Sequence, residues 1–305
     1  PINIWNDHTD SMSMRDAGWI QLFAETNQEA ADLHIQAFKL AEELSVPVMV
    51  CMDGFILTHA YERVDIPEQA TVDEYLPPFK PRQVLDPADP YSIGAMVGPE
   101  AFTEVRYLAH DRQICALDVI PRIADEFKAL FGRDSGGLIH TYLTEDAETI
   151  VVTLGSVAGT VKDTVDLMRE NGTRIGVVSI CSFRPFPKDQ IRAVLEQAKR
   201  VVVLEKSFAL GFGGIVANNV MMSMQRTGVH VYTAVAGLGG RPIIRTSLTA
   251  LFEKAGRDEL EDVHFLDLDW EVVNRELDRA RESITSGPTA ENILRDLGPG
   301  VAKAV

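Results

Sequence analysis

Between Thr149 and Val235 the chain alternates short runs of apolar, mostly β-branched residues with helical stretches, and few architectures accept that pattern. Thr149–Leu154, Arg174–Ile180, Arg200–Leu204 and Val229–Val235 read as strands apolar on both faces. Ala158–Asn171, Lys188–Gln197 and Ile215–Gln225 read as the helices between them, with Gly172 closing the first. Strands joined by helices must run parallel in a sheet covered on both faces, so this half is α/β.

The first half is less regular. Thr26 and Glu29 have the spacing of a capping box, and Ala30, Leu33, Ala37, Ala41 and Leu44 follow on one helical face. Val46–Met52 reads as a fully buried parallel strand, which places Asp53 through His59 at a strand C-terminus, where α/β sheets bind ligands. Pro1–Trp5 reads as an extended segment, and Asn6–Asp16 as the polar turn that follows a strand. A chain opening on Pro1 inside a sheet suggests that the first part of this domain lies upstream. The prolines at 67, 77, 78, 81, 87, 90 and 99 exclude long helices from 62–99, a surface excursion expected to bury Tyr75, Leu76 and Phe79. Glu100–Phe131 predicts one or two helices with a kink or break at Pro121, and a last helix is expected near Trp270–Ile284. The expected division is residues 1–144 and 145–305.

Charge removes one class of function. With 45 acidic residues against 29 basic and a net charge of −16, no cationic stripe is present for a nucleic-acid backbone. No apolar run is long enough for a membrane helix, so a soluble cytoplasmic protein is expected. Cys51, Cys115 and Cys181 lie far apart, which fits reduced thiols and excludes a local zinc or iron–sulfur motif.

The densest chemistry lies in Asn6–Trp19, which holds Asp7, His8, Asp10, Arg15 and Asp16. Arg15 could fork onto a ligand carboxylate or simply pair with Asp10 or Asp16. His8 could move protons, but acids on either side suit it better as a hydrogen-bond node of the loop. Asp53 and His59 carry the same ambiguity, and none of these groups has the i, i+4 spacing of a metal pair. Gly155-Ser156 resembles an anion-binding turn, yet neither it nor Gly211, Gly213 and Gly214 makes a dinucleotide fingerprint. These glycines are expected mainly to permit tight turns.

Taken in order, Asp7-His8-Thr9-Asp10 with Arg15 five residues on, Asp53-Gly54-Phe55 with His59, Gly155-Ser156, Arg184-Pro185-Phe186 and Gly237-Leu238-Gly239 resemble the alpha component of the pyruvate:ferredoxin and 2-oxoacid:acceptor oxidoreductases. The resemblance implies part of a pyrimidine-type thiamine-binding α/β domain followed by a transketolase C-terminal-like domain that serves assembly and holds no cofactor of its own. It implies oxidative decarboxylation of a 2-oxoacid, most often pyruvate, with coenzyme A, and electrons passing to iron–sulfur clusters on partner chains. An aryl 2-oxoacid such as phenylglyoxylate, or a non-catalytic assembly role, are the alternatives. Thiamine diphosphate and Mg2+ would sit mainly on a partner chain, because Met52-Asp53-Gly54-Phe55 is not the family's Gly-Asp-Gly…Asn motif. Beta, gamma and ferredoxin-like delta components would complete a hetero-oligomer that reduces ferredoxin or another acceptor. Arg15 stands where the family's Arg holds the substrate carboxylate, with Asp7, His8, Asp10, Asp53 and His59 as candidates for the surrounding site.

Overall fold

The computed structural model describes residues 2–92, 94–282 and 289–298. In chain order the first half contains α1 (Thr9–Ser13), β1 (Ile20–Phe23), α2 (Asn27–Leu44), β2 (Val48–Cys51), α3 (Gln69–Tyr75) and α4 (Phe102–Phe131). Then come β3 (Ile139–Tyr142), β4 (Thr149–Thr153), α5 (Val157–Glu170), β5 (Ile175–Ile180), β6 (Ser182–Arg184), α6 (Lys188–Leu195) and β7 (Arg200–Glu205). The remainder is α7 (Ile215–Ser223), β8 (His230–Val235), α8 (Arg245–Gly256), β9 (Val263–Phe265), α9 (Trp270–Glu282) and α10 (Thr289–Leu297).

The strand–helix alternation read from the sequence builds a six-stranded sheet of order β3-β5-β4-β7-β8-β9. All neighbours are parallel except β3, which runs antiparallel along β5. Its four central strands, β4, β5, β7 and β8, are largely buried on both faces, while the edge strands β3 and β9 are partly exposed. One face packs on α6 and α7 through Ile191, Leu195, Ile215, Val216 and Val220. The other packs on α5 and α8 through Val161, Val165, Leu248, Leu251 and Phe252. From β4 the chain first steps outward to β5, then returns past β4 to β7. The order therefore reverses between β4 and β7, and the crevice beyond their C-terminal ends is the usual ligand position of such a sheet.

The smaller sheet, of order β2-β1-β6, differs from expectation in several places. Residues 2–5 form no strand, and Ile2 and Ile4 are exposed; Pro1, like Ile284, lies outside the described residues. β1 went unread in the sequence, although Ile20, Leu22 and Phe23 are core residues, because four residues are too few to show a period. β2 is a half-buried edge strand, since it pairs only with β1. Thr26 accepts from the Glu29 N–H as a capping box requires, but Glu29 sends its carboxylate to the Glu25 N–H instead of completing the box. Tyr75 is buried as expected, whereas Phe79 is exposed.

Pro121 neither breaks nor ends α4, which runs unbroken for 30 residues. Its loss of one backbone donor is offset by Ala116, Ile120, Ile123 and Phe127, which share a core with Leu33 and Leu40 of α2. The two sheets also exchange strands. β3 precedes residue 145 yet belongs to the large sheet, while β6 follows β5 and pairs antiparallel with β1. Phe23 and Met12 join the core of the large sheet, so the halves share buried surface.

Candidate functional site

The crevice between β4 and β7 is filled by the chain's own first half. Asp53, just past β2, is 2% exposed, and its carboxylate reaches into the crevice. His8 Nε2 stands 2.6 Å from Asp53 Oδ1, while the Ser156 N–H donates to Oδ2 at 2.9 Å and Lys206 Nζ lies 3.3 Å from it. The Ser156 hydroxyl also donates to this carboxylate. Gly155-Ser156 is thus an anion-binding turn at the start of α5, and its anion is a residue of the same chain. Gly155 has φ +76° and lies against both Asp53 and His8, so a side chain would be strained and crowded there.

Burial alone would raise the Asp53 carboxyl. The His8, Lys206 and Ser156 contacts outweigh that penalty and hold it well below the usual carboxylate range. Burial presses the Lys206 ammonium down in turn, and Asp53 opposes it. Lys206 was not foreseen; its only signal is a cation directly after an apolar strand.

Asp7 extends the same junction. It accepts from the Thr9 N–H at 2.9 Å and the Gly239 N–H at 3.1 Å, which ties the loop to the Gly237-Leu238-Gly239 turn beyond β8. The His8 N–H donates to Lys206 O and the Gly240 N–H to Asn6 O, so backbone bonds reinforce the joint. Asp10 caps only the Ser11 N–H and is exposed. His59 is exposed and stacks on Phe55, with ring centroids 4.2 Å apart.

Glu205, at the end of β7, repeats the device. It is 2% exposed and accepts from the N–H groups of Ile215, Val216 and Ala217 at the start of α7. Burial pushes its carboxyl up to about 7 against the pull of those three donors. Gly214 is required there, because a Cβ would overlap the Glu205 carboxylate.

Two cavities flank the loop. The larger, about 580 Å³, is lined by Trp5, Met14, Met52 and the acids Asp7, Asp10 and Asp53. The smaller, about 270 Å³, contains Arg15, Asp16, Arg106, His110 and Arg184. Asp7, His8 and Asp53 therefore gather at one cavity, while Arg15 opens onto the other. Arg15 donates to Met12 O at 2.8 Å and lies 3.6 Å from Asp16.

Among the described residues, Glu29, His140 and Cys181 come together with potential ligand atoms within 4.8 Å. The Glu29 carboxylate is already engaged by the Glu25 and Gly136 N–H groups and by His140 Nε2. Those bonds account for its burial.

The fold and site define a class: a two-sheet α/β chain whose second sheet has its ligand crevice closed internally and whose Arg-bearing loop is pinned across the joint. Two family models match it. Residues 1–121 match pyruvate flavodoxin/ferredoxin oxidoreductase, thiamine diphosphate-binding, and residues 147–247 match pyruvate:ferredoxin oxidoreductase core domain II. The pyruvate synthase subunit PorA of Methanosarcina barkeri is 46% identical over 261 residues, covering 83% of this chain and 64% of that one. The corresponding subunit of Pyrococcus furiosus is 39% identical, covering 90% and 71%. The ketoisovalerate oxidoreductase subunit VorA of Pyrococcus horikoshii is 39% identical, covering 83% and 65%. A solved 2-oxoglutarate:ferredoxin oxidoreductase from Magnetococcus marinus shares the fold, with TM-score 0.53, 14% identity, and coverage of 82% of this chain and 45% of that one. The chain belongs to the pyruvate:ferredoxin oxidoreductase family and corresponds to its alpha component. It spans about two thirds of the length of the curated relatives. Among the described residues, no helix is long and apolar enough to cross a membrane.

Proposed function

We propose that this chain acts as the alpha component of a cytoplasmic, thiamine-dependent 2-oxoacid:acceptor oxidoreductase. The assembly would decarboxylate pyruvate oxidatively with coenzyme A, giving acetyl-CoA and CO2, while electrons pass to iron–sulfur clusters on partner chains. The observation that carries the proposal is Arg15. It is a half-buried guanidinium facing a cavity, on a loop fixed at its other end by the buried His8–Asp53 contact and by the half-buried Asp7. A guanidinium stays charged at any working pH and can take both oxygens of a carboxylate. Its role is to hold and orient the 2-oxoacid; a proton-transfer role does not suit it.

The residues present do not fit the diphosphate half of thiamine diphosphate. The N-termini of α5 and α7 are already filled by Asp53 and Glu205, and three aspartates line the larger cavity. Diphosphate and Mg2+ are therefore assigned to a partner chain, in an assembly with beta, gamma and ferredoxin-like delta components. Relatives named both for pyruvate and for ketoisovalerate make the side-chain preference an experimental question.

The test uses the assembled complex with the complete chain. Pyruvate, ketoisovalerate and phenylglyoxylate are assayed against ferredoxin, viologen and NAD. Arg15→Ala should weaken 2-oxoacid turnover sharply while assembly and cluster content stay normal. Unchanged kinetics would remove the carboxylate assignment. A complex inactive on every 2-oxoacid would favour a purely architectural role.

A further inference from the structure

The 270 Å³ cavity brings cations together in a chain carrying a net charge of −16. Three arginines from three different elements face it: Arg15 from the loop, Arg106 from α4 and Arg184 from the end of β6. Among the described residues, Arg106 makes no ion pair, and the only acid lining the cavity is Asp16.

Arg15 and Arg184 are linked through that acid. Arg15 Nε lies 3.6 Å from Asp16 Oδ2, and Arg184 NH2 lies 3.8 Å from Asp16 Oδ1. Both separations are too long for hydrogen bonds, so one carboxylate sits loosely between two guanidinium groups and satisfies neither. Asp16 is 74% exposed and can swing into water at little cost, whereas the Arg184 side chain is only 20% exposed. Arg184 is also held in place. It donates to Phe183 O at 2.9 Å and Asn219 Oδ1 at 3.2 Å, and its guanidinium lies 4.5 Å from the centre of the Phe183 ring. A fixed, largely buried cation with neutral partners and one distant acid is short of countercharge.

We propose that Arg184 is the second arm of a carboxylate clamp. Arg15 and Arg184 take the carboxylate of the 2-oxoacid between them, in the place Asp16 now occupies loosely, and Asp16 turns out to solvent. This rests on the reading of Arg15 as the carboxylate-binding residue. It gives the Arg184-Pro185-Phe186 segment a role in binding, and it makes the joint between the two sheets part of the substrate site, since β6 follows directly on β5 of the large sheet.

The test is steady-state kinetics on the assembled complex, with Arg184→Gln, Arg184→Lys, Asp16→Asn and Arg15→Ala. At saturating coenzyme A, Arg184→Gln should raise the KM for the 2-oxoacid about tenfold or more, with kcat within about twofold. Arg184→Lys, which keeps the charge but loses the fork, should recover part of that loss. Asp16→Asn should lower the same KM by removing the competing carboxylate. Melting curves and gel filtration of the Gln and Lys variants separate a binding loss from misfolding, and the Lys and Asn variants keep the proposal testable if Gln fails to fold. An unchanged 2-oxoacid KM in Arg184→Gln overturns the clamp. So does a rise confined to the KM for coenzyme A, which would make the cavity a phosphate subsite. If Arg15→Ala alone impairs 2-oxoacid use, only the clamp fails; if Arg15→Ala leaves it intact, the underlying reading of Arg15 fails as well.

Discussion

His8 Nε2 stands 2.6 Å from Asp53 Oδ1, with both side chains almost fully buried, and this contact bolts the small sheet to the ligand crevice of the large one. Because Ser156 and Lys206 bind the same carboxylate, the crevice that other α/β proteins leave open for a cofactor is closed from within. The loop carrying Arg15 is rigid at one end for that reason. For Arg15 in its proposed role that fixing matters, since a displaced clamp loses orientation as well as affinity.

Asp53→Asn should therefore be among the most damaging single changes outside the apolar core. It keeps the shape but leaves the buried Lys206 without its counter-charge, at a cost of about 3–5 kcal/mol. The pH dependence has a definite sign. Asp53 is held below the range of an unfolded carboxylate, so its contribution is present above that range and fades as pH falls through about 4 and below. Urea unfolding at a series of pH values should show a steeper acid-side loss for wild type than for Asp53→Asn. Parallel curves would mean that the contact contributes no linkage.

Glu205 should show the opposite slope. Its folded value is raised to about 7, so its contribution is complete below the unfolded carboxylate range and declines as pH rises through about 7. Glu205→Gln should remove that neutral-range decline while lowering stability by about 1–3 kcal/mol, because an amide cannot accept from three N–H groups as a carboxylate does. Stability measured from pH 5 to pH 8 on both proteins decides it.

The four central strands of the large sheet, β4, β5, β7 and β8, were legible because they are five or six residues long, mostly buried and separated by helices, so pattern and tertiary environment agree; its edge strands β3 and β9, of four and three residues and only partly buried, were not. Of the small sheet, β2 was legible within Val46–Met52, whereas β1 and β6 were not. Ile20–Phe23 is four residues long, and Ser182–Arg184 looks like the tail of the preceding strand until its partner β1 is known. For the site, Arg15, His8 and Asp53 stood out as charges in a loop or at a strand end. The binding of Ser156 to Asp53 could not be read, because the two are 103 positions apart and the turn itself looks ready for an external anion. Arg184 carried a signal only as part of a motif, and its proximity to Asp16 depends on the pairing of β6 with β1.

Thiol chemistry should sort the three cysteines. Burial pushes the Cys51 thiol up to about 12, with Asp10 and Asp53 adding to the effect, and burial raises Cys181 well above the ordinary thiol range. Cys115, on α4, is half-buried like Cys51, so the raised thiol of Cys51 and the full burial of Cys181 are what set those two apart. Iodoacetamide applied to the native protein at pH 7.5 (a working choice of about neutral pH) should alkylate Cys115 first, with Cys51 and Cys181 reacting after denaturation. Peptide mass mapping reads the order, and early labelling of Cys181 would show that the β5–β6 junction opens in the native state.

Tyr75 should decide whether the proline-rich excursion stays on the body of the protein. It is the buried residue of α3, its hydroxyl donates to Ile123 O at 2.8 Å, and its ring meets Phe127 and Phe131 edge-on at 5.6 Å from each. Lys39 Nζ lies 4.1 Å over the same ring, so one side chain joins α3 to both α2 and α4. Tyr75→Phe removes only the hydroxyl bond and should cost about 1 kcal/mol. Tyr75→Ala empties a core position and should cost about 3–5 kcal/mol, with the loss concentrated in the attachment of 62–99. Limited proteolysis distinguishes local release from global unfolding. If the segment is pinned by Tyr75, the Ala variant is cut within 62–99 well before the large sheet is degraded, while the Phe variant behaves like wild type. Uniform degradation of the Ala variant would instead show that the α2–α4 core and the excursion unfold as one unit, and that Tyr75 supports the whole small sheet.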